Sequence, residues 1–217
     1  MRTYHVALLL AGAAVATPAL AQDIDPVFTG PRVEVTLGYD HVGAGSSVSN
    51  NNGRDDQSID GLLYGGGVGY DVAFGGALVG VEGEFTDSTA KSDRSAYTGT
   101  FGFGRVKQGR DFYIGARAGI LATPNTMVYL KGGYSNSKLN VLAGSTTQTT
   151  DTDFKLDGYR IGAGAERAIG TNSFAKIEYR SSNYNRGKIE FPNGATTGRF
   201  DVDTDRHQVV ASYGFRF

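Results

Sequence analysis

Three histidines and no cysteine limit what this 217-residue chain offers for chemistry. Acyl transfer by a serine nucleophile needs a histidine base and an acid beside the hydroxyl. His41, Asp87-Ser88 and His207 are the residues of those types that lie near the ends of regular segments. Without cysteine there is no disulfide scaffold, thiolate metal site or cysteine nucleophile. Three histidines are too few for a histidine-rich metal centre. Asp201-Val202-Asp203-Thr204-Asp205 opens like a calcium loop, but Arg206 stands where glycine is required and Ser212 where the final glutamate would be. Asp201, Asp203 and Asp205 therefore remain only as surface acids able to meet a divalent ion. The expectation is no catalytic residue, no cofactor and no dedicated metal site.

The remaining charges form a different pattern. Arg32, Arg117, Lys131, Arg160, Lys176, Arg180 and Arg216 alternate with apolar or small neighbours in short segments, and so do Glu34, Glu82, Glu84, Asp111, Glu166 and Glu178. Seven bases against six acids, all on one face of their segments, can neutralise one another if the segments close around a common interior. Unpaired, such buried charges would be costly.

The segments read with a period of two. In residues 32–40, Val33, Val35, Leu37 and Tyr39 fall on one face and Arg32, Glu34, Thr36, Gly38 and Asp40 on the other. The pattern recurs over residues 60–72, 77–86, 111–121, 126–135, 157–167, 173–181 and 207–217. Eight strands of about ten residues match the length needed to cross a bilayer at a tilt. Residues 72–76, 122–125 and 169–172 are short turns. Residues 41–59, 87–110, 136–156 and 182–206 are long and polar. That asymmetry, with charge inside and apolar residues outside, predicts an all-β fold: an eight-stranded antiparallel up-and-down transmembrane β-barrel. Tyr39, Tyr70, Tyr134, Tyr179 and Tyr213 end the apolar rows, as an interfacial aromatic girdle would. The 32 glycines are about twice the usual share. On the charged face they leave room for long side chains, and no helix follows the Gly65-Gly66-Gly67 run, as a dinucleotide site would require. Pro192-Asn193-Gly194 reads as a hairpin tip.

The start of the chain reads as an address. Arg2 and His5 precede the apolar run from Val6 to Val15, and Ala19-Leu20-Ala21 forms a cleavage site. Residues 1–21 are expected to be a signal peptide cleaved after Ala21, 22–31 a periplasmic N-terminal segment and 32–217 the barrel. The formal net charge of −1 argues against a nucleic-acid partner.

Several segments resemble the opacity-type porin family of small eight-stranded outer-membrane barrels, which overlaps the OmpA-like barrel domains. They are Phe28-Thr29-Gly30-Pro31-Arg32-Val33, Asp111-Phe112-Tyr113-Ile114-Gly115-Ala116-Arg117, Lys131-Gly132-Gly133-Tyr134, Asp157-Gly158-Tyr159-Arg160 and Gly214-Phe215-Arg216-Phe217. The resemblance implies a bacterial outer-membrane location. It implies that Tyr213, Phe215 and Phe217 form the signal read by the barrel-assembly machinery. The sequence stops at Phe217, so the wall-binding domain often attached to such barrels is not expected. Barrel enzymes of other families use an H-x-S arrangement; here Val209 stands two residues after His207, and no enzyme is expected. The expected role is structural, in envelope integrity, or surface interaction, with lipid, lipopolysaccharide and an extracellular loop ligand as partners. The alternative is a narrow porin-like channel for ions or small solutes.

Overall fold

The computed structural model describes residues 27–44, 57–93, 105–145, 148–190 and 200–217. The predicted signal peptide and the tip at Pro192-Asn193-Gly194 lie outside them. The eight barrel strands are β1 (Gly30–Ala44), β2 (Gln57–Phe74), β3 (Ala77–Ser88), β4 (Arg105–Thr123), β5 (Thr126–Ser145), β6 (Gln148–Ile169), β7 (Ser173–Glu190) and β8 (Phe200–Arg216). A three-residue piece, Lys91–Asp93, continues the line of β3 along β4. Every neighbouring pair is antiparallel, and β1 pairs with both β2 and β8, so the sheet closes. Closure leaves no strand edge, which a hydrocarbon environment could not satisfy.

The wall is inside out relative to a water-soluble barrel. Val35, Leu37 and Leu130 are 66, 60 and 68% exposed, whereas Arg160 and Glu166 are fully buried. Alternation puts every second side chain on the lipid face and the next in the lumen. The five girdle tyrosines all lie exposed on the outer face.

One end carries tight turns. Gly75 and Gly76, with φ of 56° and 80°, join β2 to β3 in a two-residue turn where both positions need the left-handed region. Pro124-Asn125 joins β4 to β5, and residues 170–172 join β6 to β7. At the other end the strands run on into the segments read as long polar loops. The β1–β2 ladder runs to Ala44 opposite Gln57, β5–β6 to Ser145 opposite Gln148, and β7–β8 to Gly187 opposite Phe200. Beyond the lipid both faces of a strand meet water, so apolar alternation disappears while the backbone ladder continues. The acidic stretch at 201–205 belongs to β8. Register shifts at Gln108/Asp111, Asp157/Gly158 and Tyr184/Arg186 cluster where the strands leave the membrane zone, as bulges do at barrel rims.

A small apolar cluster stops the turn end of the lumen: Phe28, Ala73, Leu78, Met127 and Tyr129, with Leu121 and Ala168 against it. Phe28 enters from the segment before β1. Thr29 Oγ1 accepts the Ala73 amide at 3.0 Å, and the Val27 carbonyl accepts from Arg216 Nη1 at 3.1 Å.

A closed ladder of this kind resists detergent. The folded protein is expected to run at a different position on an SDS gel before and after boiling. A single, heat-independent band from the refolded protein would contradict closure.

Candidate functional site: the charged lumen

The lumen is filled by three tiers of charge. At the turn end, Asp71 is shared by three arginines. Arg117 donates from Nε to Oδ1 at 2.8 Å and from Nη2 to Oδ2 at 2.6 Å. Arg32 Nε and Arg216 Nη2 reach Oδ2 at 2.9 Å each. Glu166 takes a second bond from Arg117 and from Arg216, both at 2.9 Å. The Arg216 guanidinium also lies over the rings of Phe28 and Phe174, 5.6 and 5.3 Å from their centroids.

The middle tier centres on two lysines. Lys131 Nζ lies 2.7 Å from Glu82, 2.6 Å from Glu84 and 3.0 Å from Glu178. Lys176 Nζ donates to Glu34 at 2.5 Å. Arg180 bonds Glu178 at 2.5 Å and lies 3.0 Å from Glu84. The Tyr129 hydroxyl donates to Glu178 at 2.5 Å. Tyr113 lies between cations, with Lys131 Nζ 4.6 Å and the Arg160 guanidinium 5.3 Å from its ring centroid.

The outer tier gathers on Asp111 and Asp40. Asp111 accepts from Arg160 at 2.8 and 2.9 Å, from Tyr184 at 2.8 Å, and from Arg206. Arg206 also grips Asp40 with two bonds, at 2.7 and 2.8 Å. Single arginines join the tiers. Arg32 links Asp71 to Glu34 and Glu82. Arg160 links Asp111 to Glu84, 3.7 Å away. The network is continuous from the turns to the outer rim.

Glycines make this filling possible. A Cβ on Gly80 would stand 2.0 Å from Asp71 Oδ1, and one on Gly115 2.1 Å from the Tyr113 hydroxyl oxygen. Both sites need a residue with no side chain because a long neighbour folds across them.

A closed antiparallel wall of eight strands, apolar outside and charged within, is the architecture of small outer-membrane barrels. A family model for the outer membrane protein beta-barrel domain matches residues 7–217. The chain belongs to that family. Among curated proteins it is similar to the 25 kDa outer-membrane immunogenic protein of Brucella melitensis, 30% identical over 138 residues, which is 64% of this chain and 58% of that one. The Brucella abortus protein of the same name matches over the same span at the same identity. The chain thus spans less than two thirds of the length of these relatives. Among solved structures it is similar to Ail of Yersinia pestis in complex with the heparin analogue sucrose octasulfate, with a TM-score of 0.50, 14% identity and 87% and 99% of the two chains covered. Neisserial surface protein A gives a TM-score of 0.50 at 16% identity, with 85% and 97% covered. These likenesses are of fold. The chain is an outer-membrane β-barrel protein.

In this outer-membrane barrel all thirteen charges singled out from the sequence are buried and paired. Three more belong with them: Asp40, Asp71 and Arg206. Alternation already put Asp40 and Asp71 on the inner face. Arg206 fell in a segment read as loop, although its place one residue before His207 continues the β8 alternation. With these three, six arginines and two lysines meet five glutamates and three aspartates. None of the sixteen is more than 5% exposed.

The candidate hydrolytic groups are not brought together. Ser88 is buried on the lumen face, 3.1 Å from the Ala90 amide, while His41 lies on the outer face with its Nδ1 2.6 Å from Asp60. The wall separates them. His207 pairs with Tyr179 on the outer face. Asp205 is exposed and accepts from Asn183 at 2.8 Å; the side chains of Asp201 and Asp203 lie outside the described residues. Tyr213, Phe215 and Phe217 all project outward, the first two edge to face at 5.6 Å.

Asp71→Ala would leave three arginines facing one another without their shared acceptor. Breaking a buried pair by removing one partner costs about 3–5 kcal/mol. The variant should lose its folded gel position at lower temperature or denaturant concentration than the parent, and Gly80→Val should behave alike because its side chain displaces Asp71. An unchanged midpoint for both would contradict the role of this tier.

Proposed function

We propose that the protein is a closed, non-conducting outer-membrane scaffold with a structural and surface-interaction role and no turnover. One observation carries the reading: eight acids and eight bases fill the lumen in direct pairs, all buried. A passing ion would have to break charge-assisted bonds in every tier and leave groups that are costly to strand. What the barrel holds in place is the set of paired strands extending above the aromatic girdle. Lipid and lipopolysaccharide against the wall, and an extracellular ligand on the outer hairpins, are the partners this reading implies. The complex of Ail with a heparin analogue shows a barrel of similar fold engaging a polyanion, and supports the idea of a surface ligand here.

The channel reading competes at two residues. Arg32 and Arg160 join the tiers singly, so a path could open only if both exchanged partners. Planar-bilayer recording of the refolded, heat-modifiable protein tests this directly. No reproducible single-channel step is expected from the parent, while Arg32→Ala combined with Arg160→Ala should show steps if it folds. A stable conductance from the parent would overturn the scaffold reading and make the lumen charges selectivity residues.

We also propose that Tyr213, Phe215 and Phe217 are read by the barrel-assembly machinery. Their outward, lipid-facing placement at the final strand supports this. Phe217→Asp should reduce the heat-modifiable form recovered from outer membranes several-fold while total synthesis stays unchanged. Equal recovery would remove the assignment.

A further inference from the structure

The outer ends of β1 and β8 hold His41 and His207 at directly opposed positions of their ladder. Both side chains lie on the outer face, one row beyond the row that contains Tyr39 and Tyr179. That row runs Asp60, His41, His207, Ser181 across β2, β1, β8 and β7. Directly opposed residues on one face of an antiparallel pair have Cβ atoms about 4.5–5.5 Å apart.

Each imidazole is held by one nitrogen only. His41 Nδ1 lies 2.6 Å from Asp60 Oδ1, which also accepts the Tyr39 hydroxyl at 2.7 Å. His207 Nδ1 lies 2.8 Å from the Tyr179 hydroxyl oxygen, and its ring stacks on Tyr179 at 6.1 Å and 16°. The two Nδ1 edges therefore turn to opposite flanks, towards β2 and towards β7. Neither Nε2 is hydrogen-bonded within the described residues. The side chains of His41 and Asp60 are 41 and 52% exposed, so an ion can reach them from water.

This is how histidine ligands are prepared. An imidazole that gives its Nδ1 proton to a carboxylate or another oxygen has its orientation and tautomer fixed, with the Nε2 lone pair facing out. We propose that His41 and His207 form a two-histidine site, through their Nε2 atoms, for a divalent transition ion of the zinc, copper and nickel group at the outer membrane rim. Imidazole suits these ions; calcium and magnesium prefer oxygen ligands. Among the described residues no group of three or more histidines, aspartates and glutamates is arranged to hold a metal, so water completes the coordination. Asp60 and Tyr179 are positioning residues.

The test is titration of the untagged, full-length, folded protein in detergent with Zn²⁺ by calorimetry at pH 7.5. One ion per chain is expected. His41→Ala and His207→Ala should each weaken binding at least ~10-fold, and Asp60→Asn about 10–100-fold through loss of its support to His41. The double histidine variant, which keeps His5, gives the background. Both side chains are surface-exposed, so the variants should keep the heat-modifiable gel shift. With Cu²⁺, the electron paramagnetic resonance spectrum should show two coordinating nitrogens in the parent and one in each single variant. The proposal is overturned by absence of Zn²⁺ binding in the folded parent. It is equally overturned if one histidine variant binds like the parent, or if Ca²⁺ at equal concentration displaces the ion.

Discussion

Neutrality of the interior is the constraint on which this barrel rests. Lipid requires the outer face to be apolar, and alternation then delivers every second residue to a lumen too narrow for bulk water. Whatever charge enters must be matched there. The eight acids and eight bases meet that demand in kind and in place. Asp71 accepts from three arginines because the strands bring Arg32, Arg117 and Arg216 to one level, and the surplus positive charge of that tier is shared with Glu166.

Pairing of this density needs volume as well as charge. Eight strands give an interior that side chains just fill. An arginine crossing the lumen therefore needs a neighbour that occupies nothing. Gly69 lies under the Arg32 guanidinium, Gly80 under Asp71, and Gly162 beside the Lys131 stem. The glycine-rich composition and the charged lumen are one feature seen twice: each long side chain on one strand is accommodated by an absent one on the next. Tyr129 uses the same device with Gly164 on the next strand and Tyr113 a variant of it with Gly115 on its own strand, and both place their ring faces against Lys131, Arg160 and Arg117.

Much of this was legible in the chain because the membrane imposes a period of two. Val33, Val35 and Leu37 against Arg32, Glu34 and Thr36 set both the strand and its facing before any pairing is known. The eight-strand closure follows from length and turn spacing. Legibility stopped at the lipid boundary. Val141 and Leu142 stand side by side and break the alternation, yet they lie in a ladder that runs to Ser145, because above the bilayer backbone pairing no longer needs a two-faced sequence. Arg206 keeps the β8 alternation but stands at the end of a long polar segment, which hides it in a loop. Which acid meets which base was never in the pattern: strand tilt decides it, and Glu84 meets Arg180 ninety-six positions along the chain.

An interior whose charges are paired also fixes where recognition can occur. The acids and bases of the lumen are committed to one another, and the lipid face offers only apolar surface and phenolic oxygens. Polar groups within reach of an outside ligand therefore collect at the rim, where the wall leaves the hydrocarbon and the strands continue. That is where the outer-face bonds appear: Tyr39 and His41 on Asp60, Tyr179 with His207, Tyr134 on Asp157, and Asn183 on Asp205. In each of the first three a girdle tyrosine turns its hydroxyl towards a polar partner just beyond it. The girdle thus does two things at once: its rings seat the barrel at the interface, and its hydroxyls hold the first row of polar side chains above the lipid in fixed orientations. A barrel with a sealed lumen meets the outside through that row and the hairpins above it.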